Sequence, residues 1–177
     1  MAKFGSGQPA RRVEDVRFVT GHGRYTDDID VAGQLYGIVV RAPVAHARIT
    51  ALDVEAARAA PGVHAVLTGA ELDALGANRL PCMVPITNRD GTRRADPGRP
   101  VLASDKVRFA GEGVAFVVAD SLAAAKDAAD LVALDFDDLD AVTTAAKASG
   151  VAIHEAAPGN RAFDWQYGDD AAVDAAF

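Results

Sequence analysis

Residues 107–136 read VRFAGEGVAFVVADSLAAAKDAADLVALDF, and this stretch sets the fold class. The run VAFVVA at 114–119 is continuous, apolar and too short for a good helix, so it reads as a buried strand. Gly111 and Gly113 ahead of it mark a tight turn or a close approach of backbone. Asp120 or Ser121 can cap the helix that follows, on which Leu122, Ala125, Ala129 and Val132 recur at helical spacing. LVALDF at 131–136 then returns as a strand. The order strand, helix, strand makes a βαβ-like unit.

A similar unit precedes it. LYGIVV at 35–40 is β-rich and uninterrupted, which predicts a strand covered on both faces and ended by Pro43. ARITALDV at 47–54 follows, with Ile49 and Ala51 on one face and Arg48, Thr50 and Leu52 on the other. Asp53 can accept the free N–H groups of a helix over VEAARAA (54–60), which Pro61 and Gly62 stop. HAVLT (64–68) is a further strand. Thr68 and Glu71 have capping-box spacing, so hydroxyl and carboxylate each satisfy an orphan amide of a short helix ending at Gly76. Strands interleaved with helices predict an α+β (mixed α/β) fold with a mixed sheet, its crossovers right-handed wherever the βαβ units are true.

Between Gly76 and Asp105 the periodicity disappears. Pro81, Pro85, Asn88, Gly91, Pro97, Gly98 and Pro100 punctuate the stretch, which also carries Arg79, Arg89, Arg93, Arg94 and Arg99. Loops this long inside a domain are usually functional or ordered by something outside it. Arg89, Arg93, Arg94 and Arg99 are therefore the candidate interface residues, set against the alternative of a solvated loop face. Further along, TTAAKASG gives a weak helical turn, IHEAAPGN a loop, FDWQY an extended segment, and DDAAVDAAF the start of an acid-capped helix that reads as cut off. Before all of this, a helix is expected over Glu14–Val19, with Asp27, Asp28 and Asp30 in a loop.

With 177 residues, half of them apolar, the chain can bury one substantial core. A net charge of −7 argues against a nucleic-acid surface, which needs clustered Lys and Arg. One cysteine, Cys82, excludes an internal disulfide framework and any multi-cysteine metal site, so a reducing, cytoplasmic setting is the default. No apolar window approaches the ~20 residues of a membrane span.

The chemical motifs are sparse. Gly21-His22-Gly23 and Gly111-Glu112-Gly113 are incomplete glycine patterns that read as turns. His22, His46, His64 and His154 lack the spacing that puts two imidazoles on one metal. No GxSxG elbow surrounds a serine, and no local base accompanies Cys82. The paired acids Asp27/Asp28, Asp137/Asp138 and Asp169/Asp170 read as solvated neighbours rather than an acid–base couple. No catalytic, cofactor-binding or metal-ligating residue is assigned from these patterns.

The series RRVEDVRFVTGHGRYTDDIDVAGQLYGIVVRAPVAHARITALDVEAARAAPGVHAVLTGAEL, then RPVLASDKVRFAGEGVAFVVADSLAAAKDAADLVALDF, then APGNRAFDWQYGD closely resembles the N-terminal a/b hammerhead domain of the molybdopterin-binding large subunit in the xanthine dehydrogenase, aldehyde oxidase and aerobic carbon monoxide dehydrogenase family. Arg24-Tyr25 with Asp27-Asp28-Ile29 matches the family's entry segment. Arg41, Pro43, His46, Ala47, Arg48 and Ile49 match its strand-joining signature, with His46 expected as a hydrogen-bonded corner residue. Gly111-Glu112 resembles the family's Gly-Glu-Pro, Gly113 standing where Pro is usual. The Gly/Ser/Pro-rich start reads as a flexible leader at 1–11, and the resemblance implies a hammerhead domain at 12–160 and a linker with the beginning of the molybdopterin-binding domain at 161–177. It also implies molybdopterin, often the cytosine dinucleotide, in the full subunit, with FAD and [2Fe–2S] in partner subunits or domains. The family's catalytic glutamate and molybdopterin-contacting segments match nothing here, so the isolated chain is expected to be inactive. The alternatives are a separately encoded subunit and a stand-alone binding module of the same fold.

Overall fold

The computed structural model describes residues 11–177, so the expected leader, apart from Arg11, lies outside the described residues. The chain forms two compact units that divide between Gln34 and Leu35. In the first, α1 (Asp15–Val19) buries none of its residues, and a single 3-10 turn at Thr26–Asp28 replaces the expected plain loop. The Tyr25 N–H donates to Asp28 Oδ2 at 2.8 Å across that turn, and the Phe18 and Tyr25 rings stack with centroids 5.5 Å apart.

In the second unit the elements run β1 (Tyr36–Arg41), β2 (Ala47–Asp53), α2 (Glu55–Arg58), β3 (Val63–Thr68), α3 (Gly69–Ala74), β4 (Arg79–Leu80), β5 (Arg99–Pro100), β6 (Lys106–Val107), β7 (Gly113–Ala119), α4 (Leu122–Ala129), β8 (Ala133–Asp138) and α5 (Asp170–Ala176). One sheet has the order β1-β7-β3, a second β6-β2-β8, and β4 pairs with β5 alone. Every pairing is antiparallel. The expected βαβ units and the mixed sheet they would build do not form. Each of α2 and α4 instead links a strand of one sheet to a strand of the other, β2 to β3 and β7 to β8. Local patterning specifies strand and helix, while the choice of partner strand depends on contacts far apart in sequence.

The caps act largely as the local chemistry dictates. Thr68 Oγ1 accepts the Glu71 N–H at 3.3 Å and Glu71 Oε2 accepts the Thr68 N–H at 2.9 Å, closing the capping box of α3. Between Asp120 and Ser121 it is Ser121 that caps α4, its Oγ accepting the Ala124 N–H at 3.1 Å. Asp120 turns away and meets His64 Nε2 at 2.6 Å. Asp53 Oδ1 accepts the Glu55 N–H at 2.9 Å, although α2 is only one turn long.

The core is built from small side chains. Val54, Ala57, Val66, Ala115, Val117 and Ala128 form one cluster, Ala42, Ala103, Val107 and Val114 a second, and Val40 packs against both. With alanines at the contact, α2 and α4 lie close on the β1-β7-β3 sheet, where Ala57, Ala125 and Ala128 are fully buried. The predicted α4 stripe is therefore shifted: Leu122 is exposed and Ala128 takes an inner place. A bulge between Ile49 and Ala51 also corrects the expected alternation in β2. It brings Ile49 opposite Phe136 and Leu52 opposite Leu134, so both leucine and isoleucine face the same layer and Ala51 is left outside.

Candidate functional site

Asn78 organises the region after α3. It is 5% exposed, its Nδ2 donates to the carbonyls of Leu102 at 2.9 Å and Gly69 at 3.2 Å and to Asp73 Oδ1 at 2.9 Å, and its Oδ1 accepts the Leu102 N–H at 2.9 Å. One amide thus fixes both ends of the arginine-bearing stretch, since Leu102 follows it and Asn78 begins it. Hydrogen bonds from Ser104 and Asn78 hold the Asp73 carboxyl below its ordinary range. Gly69 lets the chains approach: a Cβ there would lie 2.6 Å from the Leu102 carbonyl oxygen.

The stretch expected as a long loop carries short pairings of its own. Besides β4 and β5 it contains an antiparallel bridge between Thr87 and Arg93 around a turn, with Gly91 at φ +81°. The outer support comes from 161–166. The Arg89 N–H donates to the Asp164 carbonyl and the Ala95 N–H to the Ala162 carbonyl, both at 2.9 Å, while Asn88 Oδ1 accepts the Asp164 N–H at 2.9 Å. In FDWQY, which forms no strand, Trp165 and Tyr167 are exposed and stack with centroids 6.0 Å apart.

The four candidate interface arginines are not equivalent. Arg89 Nε lies 2.9 Å from Asp164 Oδ1, and Arg94, whose side chain is 14% exposed, lies 3.7 Å from Asp96. Arg93 and Arg99 are exposed and make no ion pair among the described residues. Arg89 and Arg93 line one hollow, against Asp164 and Phe163, whereas Arg94 and Arg99 line an open cleft of about 750 Å³. The loop brings them onto one stretch of surface only in pairs.

The cleft also receives Cys82, Met83, Arg108, Phe109, Glu112 and His154. Burial pushes the Glu112 carboxyl up, although its Oε2 accepts the Arg108 N–H at 2.6 Å. That bond closes the Gly111-Glu112-Gly113 turn, so the turn reading of this motif holds and the carboxylate is committed to backbone. Burial first, then the charges of Arg108 and Lys106 and the nearby His46, hold His154 below its ordinary value. His46 is a buried corner residue, as expected: its Nδ1 lies 2.7 Å from the Asp140 carbonyl and therefore donates, leaving Nε2 buried without a partner. Sequence reasoning missed Asn78, because its contacts to Leu102 span 24 residues. Among the described residues no group of three or more His, Cys, Asp or Glu side chains is placed to hold a metal ion.

Two antiparallel three-stranded sheets bridged by short helices define an α+β domain with charge pairs and open clefts on its outside. The comparisons place it further. The family described as "Aldehyde oxidase and xanthine dehydrogenase, a/b hammerhead domain" matches residues 20–140, and the chain belongs to that family. The nicotine 6-hydroxylase large subunit of Paenarthrobacter nicotinovorans is 43% identical over 77% of this chain and 16% of its own length. The carbon monoxide dehydrogenase large chain of Afipia carboxidovorans is 37% identical over 98% of this chain and 22% of its own. Among solved structures, a Cu,Mo-CO dehydrogenase superposes with a TM-score of 0.67 at 40% identity, covering 81% of this chain and 17% of that one. Quinoline 2-oxidoreductase from Pseudomonas putida 86 superposes at 0.68 with 39% identity, over 80% and 17%. The chain thus spans roughly a fifth or less of the length of these relatives.

The donor sets present do not fit the redox groups that the family implies. An iron–sulfur cluster takes several thiolate ligands, and the chain has a single cysteine. A pterin presents many donors and acceptors, whereas one cavity of about 460 Å³ offers, among the described residues, Arg41 as its one charged side chain within apolar walls. In the larger cleft a phosphate would meet Asp96 and Glu112 as well as the arginines. No reaction step is derived through these residues.

Proposed function

We propose that this chain acts as the N-terminal scaffold of a molybdenum hydroxylase large subunit, with the hammerhead domain at 12–160 and residues 161–177 leading toward a molybdopterin-binding domain. The observation that supports it is the family match over 20–140, in a chain that spans 16–22% of the relatives' length. In this reading the chain holds no reactive centre. Molybdopterin, as the cytosine dinucleotide, belongs to the rest of the subunit, FAD and [2Fe–2S] to partner subunits, and the assembly works in the cytoplasm. The structure's own contribution is rigidity: a redox site needs a surrounding shell that holds geometry and excludes water. Among the candidate interface residues, Arg93 and Arg99 are the anchors most available to a partner, because Arg89 and Arg94 already meet carboxylates within this chain.

The test is association with a companion: the Afipia carboxidovorans large chain expressed without the stretch that matches this one. The expected result is a one-to-one complex by light scattering, weakened by Arg93→Glu and Arg99→Glu. A chain that stays monomeric with the companion, and instead binds a small ligand by itself, favours the stand-alone module.

A further inference from the structure

The β1-β7-β3 sheet has two unlike faces. Register places Ile38, Val117 and Val66 side by side on one, and Val117 and Val66, together with Val40 and Ala115, pack beneath α2 and α4. On the other face Val39, Phe116 and Leu67 lie opposite one another across all three strands. Among the described residues the expected cover on both faces of β1 is incomplete on this side: Val39 is half-buried, Leu67 is 36% exposed and Gly37 is exposed beneath the Phe116 ring. Leu72 of α3 with Val101 and Leu102 raises a wall along one edge, which turns the face into an apolar notch of about 460 Å³. Among the described residues its only charged lining residue is Arg41, which gives one N–H to the Gly111 carbonyl at 2.8 Å and makes no ion pair there.

We propose that this notch is the docking site for the molybdopterin-binding part of the large subunit, which seats an apolar side chain between Val39, Leu67 and Phe116 and a carboxylate on Arg41. The inference rests on the function proposed above and names a second surface, separate from the arginine loop. Three observations fix the occupant. An apolar cross-strand row left partly open to water among the described residues, on a sheet whose opposite face packs under two helices, is a layer without its partner. The polypeptide of the relatives that this chain does not span amounts to some four-fifths of their length, so the covering layer comes from there. Arg41 without a counter-ion beside an apolar pocket selects an acidic residue next to the apolar anchor.

The experiment measures the dissociation constant of this chain with the same companion by biolayer interferometry. Leu67→Asp is expected to weaken association at least tenfold and Arg41→Glu about fivefold. Ala123→Asp, which adds the same charge on the exposed side of α4, is expected to stay within twofold. Circular dichroism and the thermal midpoint of each variant alone verify the fold, because Leu67 lies on the sheet edge and is partly exposed. Unchanged association of Leu67→Asp with a companion that binds the wild type overturns the notch and leaves the scaffold function standing. A wild-type chain that does not bind the companion removes both. Self-association of the wild type that Leu67→Asp abolishes also overturns the proposal, because a second copy then occupies the face.

Discussion

Replacing Asn78 with alanine removes one side chain from a place where four hydrogen bonds converge. Leu102 is 3% exposed, so both its N–H and its carbonyl lose the partner that Asn78 supplied and water cannot replace it. A hydrogen bond contributes about 0.5–1.5 kcal/mol net, and a buried group left unpaired costs about 1–3 kcal/mol. The bond to Asp73, nearer the surface, adds little. Counting the two Leu102 groups and the Gly69 carbonyl, Asn78→Ala is expected to destabilise the fold by about 3 kcal/mol. For a chain of this size that corresponds to a fall in Tm of roughly 6–12 °C. Urea unfolding followed by circular dichroism reads the free energy, and hydrogen exchange reads the Leu102 amide, which is expected to lose protection. A loss under about 0.5 kcal/mol with Leu102 still protected refutes the idea that this amide fixes the arginine-bearing stretch.

Ser121→Ala removes the cap of α4 and is expected to cost about 1 kcal/mol, read as a shift in the urea midpoint at unchanged slope. Gly69→Ala places a methyl against the Leu102 and Ala103 backbone and is expected to cost about 1–3 kcal/mol, measured the same way. His154 has its folded-state pKa below the ordinary 6.5, so its contribution is present above that value and is lost as pH falls through the folded one. Thermal midpoints taken from pH 8 down to 5 are expected to fall less for His154→Asn than for the wild type. Glu112 has its pKa raised above 4.5 by burial, so the folded state favours the proton and stability from this group is lost as pH rises through the folded value. Glu112→Gln is expected to flatten that decline between pH 4 and 7, and an unchanged slope contradicts the assigned burial effect.

Much of the second unit was legible in its local chemistry. The strands at Tyr36–Arg41, Val63–Thr68 and Gly113–Ala119 follow from short β-rich runs, and the Thr68/Glu71 box and the Ser121 cap from spacing alone. What stayed hidden was long-range. The antiparallel order β1-β7-β3 joins segments that surround β2 and α2 in the chain, and nothing local favours it over a parallel crossover. The bulge beside Thr50 inverts the face of Leu52 without a glycine to announce it. For the arginine-bearing stretch, prolines and glycines signalled irregular backbone, yet the ordering groups are Asn78 and the segment around Asp164, more than 70 residues beyond Arg89. Resemblance supplied the family, because the clefts and charge pairs by themselves name no chemistry.

The central claim, a scaffold with no reactive centre of its own, is tested most directly on the purified chain by metal analysis together with dye reduction on an aldehyde, an N-heterocycle or carbon monoxide. The account predicts substoichiometric molybdenum and iron, no flavin absorbance and no turnover. Molybdenum bound one-to-one, or dye reduction by the chain without any companion, contradicts it.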